Sequence, residues 1–230
     1  QDPLPGIRLL DPLKHLQSSL RHLTWQTQQV AAGDLDQQVD FLSEFSSAFN
    51  QMIAALREKR AAEEKVRYLG THDALTGLYN RTYFNEQIDQ LREARDYPVS
   101  LMIADLDGLK TVNDTRGHLV GDLLIKRAAQ VLQHGVRPAD VVARIGGDEF
   151  VIILYSTDQA AAQAAITQIR AMMDAYNQRD REFPISLSLG TSTAMTHHAL
   201  EEALRRADEA MYRDKLQRKA QIRQVDLRPQ

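Results

Sequence analysis

The chain has 230 residues, 43% of them hydrophobic and 26% charged, and its formal net charge is -3 at pH 7. This composition is ordinary for a globular protein, and with no basic excess nothing indicates nucleic-acid binding. The sequence contains no cysteine, which excludes disulfides and thiolate metal sites. No apolar run reaches the roughly 18 residues that a membrane span needs. We therefore expect a soluble, cytoplasmic chain that binds no nucleic acid.

Two segments in the first third of the chain place apolar residues at heptad spacing, which is typical of helices that pack on other helices. The first seam comprises Leu13, Leu16, Leu20, Leu23, Thr27 and Val30. The second comprises Leu42, Phe45, Phe49, Met52 and Leu56, and it continues in register through polar residues to Val66. Two short amphipathic helices bury too little surface to fold alone. We expect them to pair with a second copy of the chain.

From Thr71 onward, helical and strand-like segments alternate. Helices are predicted at residues 81–95, 119–135, 158–178 and 199–218. Strands are predicted at residues 99–105, 140–145, 149–155 and 184–192, and the tail 221–230 is predicted to be a last strand or a frayed end. This order, with a hairpin in its middle, indicates an α+β fold in which helices cover a central sheet that contains antiparallel strands.

The stretch VVARIGGDEFVIIL, residues 141–154, joins two β-branched runs through Gly146 and Gly147. Paired glycines favour a tight hairpin because they reach positive φ easily, and Asp148 and Glu149 follow at its tip. Asp105 ends an apolar strand and would lie at the same sheet edge. Three carboxylates there would repel one another unless a cation lay between them. Mg²⁺ suits such a place because it takes oxygen ligands and leaves room for substrate phosphates.

A calcium loop of the EF-hand type is the obvious competing interpretation of DLDG, residues 105–108. It fails because Lys110 stands where the loop requires glycine and Arg116 stands where it requires an acidic ligand. The chain also lacks a Gly-x4-Gly-Lys phosphate loop and a dinucleotide-binding fingerprint. Phosphates would therefore bind through metal, lysines and loop amides.

The motifs RIGGDEF (144–150), DLDGLKTVNDTRGHLVGD (105–122) and THDALTGLYNR (71–81) together resemble the GGDEF family of diguanylate cyclases. The resemblance covers residues 68–218 and rests on motifs in the family's order. It implies a ferredoxin-like, palm-type sheet similar to that of nucleotidyl cyclases and polymerase palms. It also implies that two GTP molecules are condensed into cyclic di-GMP with release of two pyrophosphates.

The resemblance further implies roles for individual residues. Asp105, the Leu106 carbonyl, Asp148 and Glu149 would hold two divalent cations per active site, Mg²⁺ or Mn²⁺, and either Asp148 or Glu149 would help to deprotonate the attacking 3′-hydroxyl. The implied substrate-binding residues are Asn113 and Asp122 for the guanine edge, His118 beside the nucleotide, Lys110, Lys215 and Lys219 for phosphates, and Gly146 and Gly147 for close approach of the phosphates. Lys219 departs from the arginine usual in the family, so we expect weaker triphosphate binding.

The sequence RPAD, residues 137–140, is separated from Gly146 by five residues. This spacing and the pattern Arg-x-x-Asp match the family's inhibitory product site. The resemblance implies that Arg137 and Asp140 bind cyclic di-GMP, because arginine suits guanine and phosphate acceptors. Arg170, on the following helix, is expected to supply a second contact.

The N-terminal helices resemble a HAMP signalling module, with Pro12 in the first helix, GDLDQQV (33–39) in the connector and FNQM (49–52) in the second helix. We divide the chain into HAMP-like helices at 1–57, a helical linker at 58–70 and the cyclase domain at 71–230. The resemblance implies a homodimer. It also implies a membrane-anchored parent receptor, with this part on the cytoplasmic side of the bacterial inner membrane.

Other interpretations remain at this point. A catalytically silent receptor for GTP or cyclic di-GMP, or a purely structural dimerisation module, would use the same fold, and the heptad seams would also suit a plain coiled-coil stalk. His72-Asp73 is the dipeptide of metal phosphohydrolases, but no companion His and Asp set follows. We instead predict that Asp73 pairs with Arg81 around the LTGL turn.

Overall fold

The computed structural model describes residues 7–40 and 43–226, and the side chains of 12–40 and 44–220. The chain divides into two compact units at the Arg67–Tyr68 bond. Nowhere in the described residues is a helix both long and apolar enough to cross a membrane.

The N-terminal unit contains helix α1 (Ile7–Ala31), which includes Pro12, and most of helix α2 (Ser43–Thr71). A small apolar cluster joins them through the connector, formed by Val39, Phe49 and Ile53 with Leu23, Val30 and Leu35 packed against it. The Asn50 side chain fastens the connector, since its Oδ1 accepts from Val39 N (3.0 Å) and its Nδ2 donates to Val39 O (2.8 Å). The predicted seam residue Leu42 lies outside the described residues.

The second unit contains a five-stranded sheet with six helical segments. Its elements are β1 (Tyr79–Asn80), α3 (Arg81–Glu93), β2 (Val99–Leu106), α4 (Leu109–Arg116), α5 (His118–His134), β3 (Val141–Arg144), β4 (Glu149–Leu154), α6 (Gln159–Arg179), β5 (Leu187–Ala194), a short 3₁₀ helix (His197–Ala199) and α7 (Leu200–Asp226). The strand order is β1-β3-β4-β2-β5. Only β1 and β3 run parallel, and every other pair is antiparallel. The predicted α+β class with a mixed sheet is confirmed.

Two apolar clusters cover the two faces of this sheet. One contains residues of α5 and α6, such as Leu132 and Ile169, and the other contains residues of α3 and α7, such as Phe84 and Ala207. Strand β2 is buried along its whole length, because helices cover both of its faces. On the edge strand, Gly190 lets α7 lie directly against β5, since a Cβ there would overlap the backbone of α7.

Three local predictions are wrong. Strand β1 and helix α4 were not predicted, because they are too short to show a clear period. Residues 221–226 of the predicted tail are neither a strand nor a frayed end, because they continue α7, and residues 227–230 lie outside the described residues. The hairpin forms as predicted, but Gly146 and Gly147 are not among the described glycines with positive φ. A longer connection, residues 145–148, relieves the turn of the geometry that a two-residue loop requires.

Candidate active site

The end of β2 and the tip of the β3–β4 hairpin meet at one edge of the sheet. Asp105 lies directly opposite Glu149 in the antiparallel register, and Leu106 N donates to Asp148 O (2.9 Å) beyond the last paired residues. Directly opposed residues of antiparallel strands present their side chains on the same face. The backbone therefore places the acidic residues of both motifs together, as the sequence predicts.

Lys215 of α7 reaches this edge and binds Asp105. Its Nζ donates to Asp105 Oδ1 at 2.7 Å, and only 9% of the Asp105 side chain is exposed. Burial tends to lower the pKa of Lys215. The hydrogen bond to Asp105 and the negative charges of Asp105, Asp107 and Asp148 outweigh burial and raise this pKa. The edge is thus a place of negative potential that already holds one cationic group.

The expected convergence of three carboxylates on one point is not found. Among residues 7–40 and 43–226, no three acidic, histidine or cysteine side chains are grouped closely enough to hold a metal ion. The Glu149 side chain is exposed and lies beside Gly146, where a Cβ would be 2.8 Å from Glu149 Oε2. Asp105 meanwhile is engaged by Lys215. The residues at this edge nevertheless fit a hard divalent cation. Their ligand atoms are oxygens, and Asp105 already binds one cationic group, the ammonium group of Lys215.

Two arginines hold the hairpin tip through its backbone carbonyl groups. Arg144 donates to Gly147 O (2.9 Å) and forms an ion pair with Asp73 at 3.0 Å, with 13% and 23% of the two side chains exposed. Arg81 donates to Ile145 O through Nε (2.8 Å) and Nη2 (2.6 Å). The prediction that Asp73 pairs with Arg81 is therefore wrong: the β1–β3 pairing brings Arg144 to Asp73 and Arg81 to the hairpin.

The residues predicted to read guanine lie on α4 and at the start of α5. Asn113 packs against Gly121, where a Cβ would overlap Asn113 Oδ1 unless the Asn113 side chain moved. This Oδ1 atom is buried without a hydrogen-bond partner among the described residues. Asp122 is half-buried beside Gly121, and His118 is exposed. An unsatisfied buried acceptor is costly, so the position is one where a ligand donor would be stabilising.

The lysines predicted to bind phosphates differ in their surroundings. Lys215 is half-buried and bound to Asp105, whereas Lys110 and Lys219 are exposed. The structure thus brings one of the three lysines onto the acidic edge and leaves two at its surface.

Residues 70–221 match the sequence profile described as "Diguanylate cyclase, GGDEF domain". The chain belongs to this family. A curated signalling protein of Caulobacter vibrioides, itself uncharacterised, is 40% identical over 168 residues, which are 70% of this chain and 21% of that protein. The diguanylate cyclase DgcZ of Escherichia coli is 32% identical over 218 residues, which are 93% of this chain and 71% of DgcZ.

Among solved structures, the coiled coil and GGDEF domain of DgcB from Caulobacter crescentus in complex with c-di-GMP is similar, with a TM-score of 0.63 and 26% identity. The match covers 74% of this chain and 94% of that one. The present chain spans only about a fifth of the length of the Caulobacter vibrioides protein. The predicted family and fold are confirmed.

The Arg137–Asp140 motif of this GGDEF domain forms a braced cradle at the β3 end of α5. Arg137 Nε and Nη2 donate to both Asp140 oxygens (3.1 and 2.8 Å), and Nη2 also donates to Tyr155 O (2.6 Å) and Thr157 Oγ1 (2.8 Å). The hydrogen bond to Asp140 raises the pKa of Arg137. These two residues border a cavity of about 350 Å³ that Gln168 of α6 also lines.

The expected contribution of Arg170 to this cradle is wrong. Arg170 donates to Asp214 Oδ1 at 2.7 Å and lines a different cavity, beside β5 and α7. The reason is helical geometry: Gln168 faces the cradle, and a position two residues later points about 200° away around the helix.

The role of Asp107 in the GGDEF domain was not predicted. Its two carboxylate oxygens accept from Ser186 Oγ and Ser188 Oγ, each at 2.8 Å. Asp107 therefore fastens the start of β5 beside the acidic edge. The signal was present in the two-residue spacing of Asp105 and Asp107, which places both side chains on the same face of the strand end.

Proposed function

We propose that this chain is a diguanylate cyclase that converts two GTP molecules into cyclic di-GMP and two pyrophosphates. The observation that carries the proposal is the juxtaposition of Asp105 and Glu149 at the ends of paired strands, with the Lys215 ammonium group directed at Asp105. Negative oxygens and a cationic side chain at one sheet edge suit a reaction that needs both metal and phosphate binding. The names of DgcZ and of the DgcB complex support the same activity.

In this proposal the two nucleotides lie antiparallel, with each 3′-hydroxyl near the other's α-phosphate. Attack forms a new P–O bond at the α-phosphorus, breaks its bond to pyrophosphate and transfers the hydroxyl proton to Asp148 or Glu149. Two such steps close the ring. Asp105, the Leu106 carbonyl, Asp148 and Glu149 would hold divalent cations, which stabilise charge on the attacking and leaving oxygens when bound.

The remaining residues of the site act by positioning. Asn113 and Asp122 bind the guanine edge, and the unpaired Asn113 Oδ1 supports this role because a guanine N–H would satisfy it. His118 borders the nucleotide. Lys110, Lys215 and Lys219 bind the phosphates, which approach the backbone at Gly146 and Gly147.

We infer that the active form is a homodimer, because each chain supplies one nucleotide site and the product contains two nucleotides. The apolar seams of the N-terminal unit support this inference. Leu13, Leu16 and Leu20 of α1 are 59%, 42% and 46% exposed, as are Met52 (45%) and Leu56 (38%) of α2. The resemblance of its sequence to HAMP modules further supports signal input from a membrane-anchored part of the parent protein.

We also propose that cyclic di-GMP inhibits the enzyme at the Arg137–Asp140 cradle. The cavity beside it supports this role, because Arg137 presents a planar cationic group suited to guanine and phosphate oxygens.

A direct assay tests the cyclase proposal. Purified protein is incubated with GTP and Mg²⁺, and the nucleotides are separated by chromatography. We expect cyclic di-GMP and pyrophosphate in a 1:2 ratio from the wild type and from Glu93→Ala, an acidic control on α3, but not from Glu149→Ala. Binding of GTP without any product at high protein concentration would favour the silent-receptor alternative.

A further inference from the structure

Lys215 is fixed at the acidic edge by the packing of α7 and not only by its own ion pair. The neighbouring residue, Asp214, accepts from Arg170 Nη2 (2.7 Å), Leu189 N (2.9 Å) and Arg218 Nε (3.1 Å). These bonds tie α7 to α6 and to the outer edge of β5. The bond from Leu189 N is to the backbone of a strand, so it fixes the height of Asp214 along the sheet.

The packing of α7 therefore holds the ammonium group of Lys215 at a defined position beside Asp105. Among the described residues, Lys215 is the one side chain that donates a hydrogen bond to the Asp105 carboxylate. Most of this carboxylate is removed from water. A carboxylate in such a place is strongly stabilised by a cationic partner and would be costly without one.

A divalent cation and an ammonium group cannot share this carboxylate without strong repulsion, because little water lies between them to screen their charges. The lysine side chain is long and flexible, so its ammonium group can leave Asp105 while α7 stays in place. A nucleoside triphosphate offers that ammonium group another anionic partner. The same nucleotide brings the divalent cation with it.

We propose that Lys215 is the resident counterion of Asp105 in the nucleotide-free protein and must be displaced before a divalent cation binds there. The divalent cation and the triphosphate consequently enter together, and the free protein binds the cation alone only weakly. This inference rests on the proposed function of the edge as the metal and phosphate site, and it adds the order in which the ligands bind.

The test measures Mn²⁺ binding to the nucleotide-free, full-length chain from the electron paramagnetic resonance signal of free Mn²⁺. Lys215→Met removes the competing charge and keeps the length of the side chain. We expect this variant to bind Mn²⁺ at least about tenfold more tightly than the wild type. Lys126→Met, which removes an exposed lysine on α5, should bind Mn²⁺ as the wild type does. Equal or weaker binding by Lys215→Met would overturn the proposal.

A second measurement guards against a folding defect. Lys215→Gln supplies an uncharged polar side chain, and thermal unfolding with and without Mn²⁺ is compared with that of the wild type. We expect both Lys215 variants to melt at a lower temperature without Mn²⁺ and to gain more stability from Mn²⁺ than the wild type gains. A further Asp105→Asn change should remove that gain. Persistence of the gain without Asp105 would overturn the proposal.

The assay of the proposed function separates the two ideas. If the wild type makes cyclic di-GMP but Lys215→Met binds Mn²⁺ no more tightly, only the displacement of Lys215 is wrong. If the wild type makes no cyclic di-GMP and none of the proteins binds Mn²⁺, the metal and phosphate site itself is wrong.

Discussion

The acidic edge and the Arg137 cradle both concentrate charge, but the protein satisfies their charged groups to different extents. Asp140, whose side chain is 1% exposed, accepts from Arg137 and from Tyr155 N, and Arg137 also binds two groups of the β4–α6 turn. At the acidic edge, Glu149 is exposed and Asn113 Oδ1 has no partner among the described residues. The cradle is preorganised, whereas the groups named at the edge keep unused acceptors. In the proposed function, the rigid cradle suits binding of the product, and the unused acceptors would be satisfied by the substrate.

The largest expected effect follows from changing Asp105 at the edge. Asp105→Asn should lower the rate of cyclic di-GMP formation by about 1000-fold, since it removes a carboxylate that, in the proposed mechanism, would hold the divalent cation that stabilises the transition state. The free energy of unfolding should fall by no more than about 1 kcal/mol, because the shape is kept and Lys215 can turn to water. Chromatographic assays and urea denaturation measure the two quantities. A loss of stability that accounts for the lost activity would contradict the distinction between edge and cradle.

A substitution of Arg144 should affect the fold itself. Arg144→Met leaves the Asp73 carboxylate without its arginine and frees Gly147 O, so we expect a loss of about 3 kcal/mol of unfolding free energy. Arg205→Met, at an exposed ion-pair network on α7, is the matched control and should change stability by less than about 1 kcal/mol. Urea denaturation of both variants makes the comparison, and similar small losses would show that the hairpin tip needs no such support.

Within the cradle, we expect the buried Asp140 to contribute more to the stability of the fold and the exposed Arg137 to contribute to recognition of cyclic di-GMP. Asp140→Ala should cost about 2 kcal/mol, because it leaves buried donors unpaired, while Arg137→Ala should cost about half as much. Both should abolish inhibition by cyclic di-GMP in the GTP assay. Undiminished inhibition of Arg137→Ala would remove the product site from this cavity.

The pH dependence of stability offers a smaller effect. Burial tends to raise the pKa of Asp73, but hydrogen bonds from Thr76 and Arg144 outweigh it and hold this pKa below 3.8. A carboxyl with a depressed pKa in the folded state stabilises the fold above its unfolded pKa and loses that contribution as pH falls through the folded value. The stability difference between wild type and Asp73→Asn should therefore be constant at neutral pH and shrink below pH 3.8. Urea denaturation at a series of pH values from roughly 2 to 7 would measure it.

The smallest expected effect concerns Lys219, which is exposed on α7. Lys219→Arg should lower the KM for GTP by roughly threefold, because a guanidinium group binds phosphate through two donors. The kcat should stay unchanged. A fall in kcat without a change in KM would place Lys219 outside phosphate binding.

Much of this molecule follows from its sequence for identifiable reasons. Strand β2 and the hairpin strands were predictable because short apolar runs bounded by residues such as proline, aspartate and glycine have few other solutions. The pairing of Arg144 with Asp73 was not, because it depends on β1, a two-residue strand that carries no periodic signal. The prediction for Arg170 was wrong for a related reason. The direction of its side chain depends on the rotation of α6 about its axis, and the sequence fixes that rotation only when one residue that faces the cradle is known.

The acidic edge shows a different limit. The motifs predicted that Asp105 and Glu149 lie at one edge of the sheet, but not that Lys215 binds Asp105 or that Glu149 lies beside Gly146. The first contact depends on helix α7, because Lys215 lies 110 residues from Asp105 along the chain, and the second depends on a side-chain rotamer. Neither is encoded in the spacing of a local motif.

The contact at Gly190 has a genetic consequence. Because no side chain fits between this strand residue and α7, any bulk added at Gly190 or at the small residue Ala207 would push the helix outward. Lys215 would then be displaced from Asp105 without any change to either of these two side chains. In a screen of random mutants, inactive alleles should therefore accumulate at these two positions as well as in the acidic motifs.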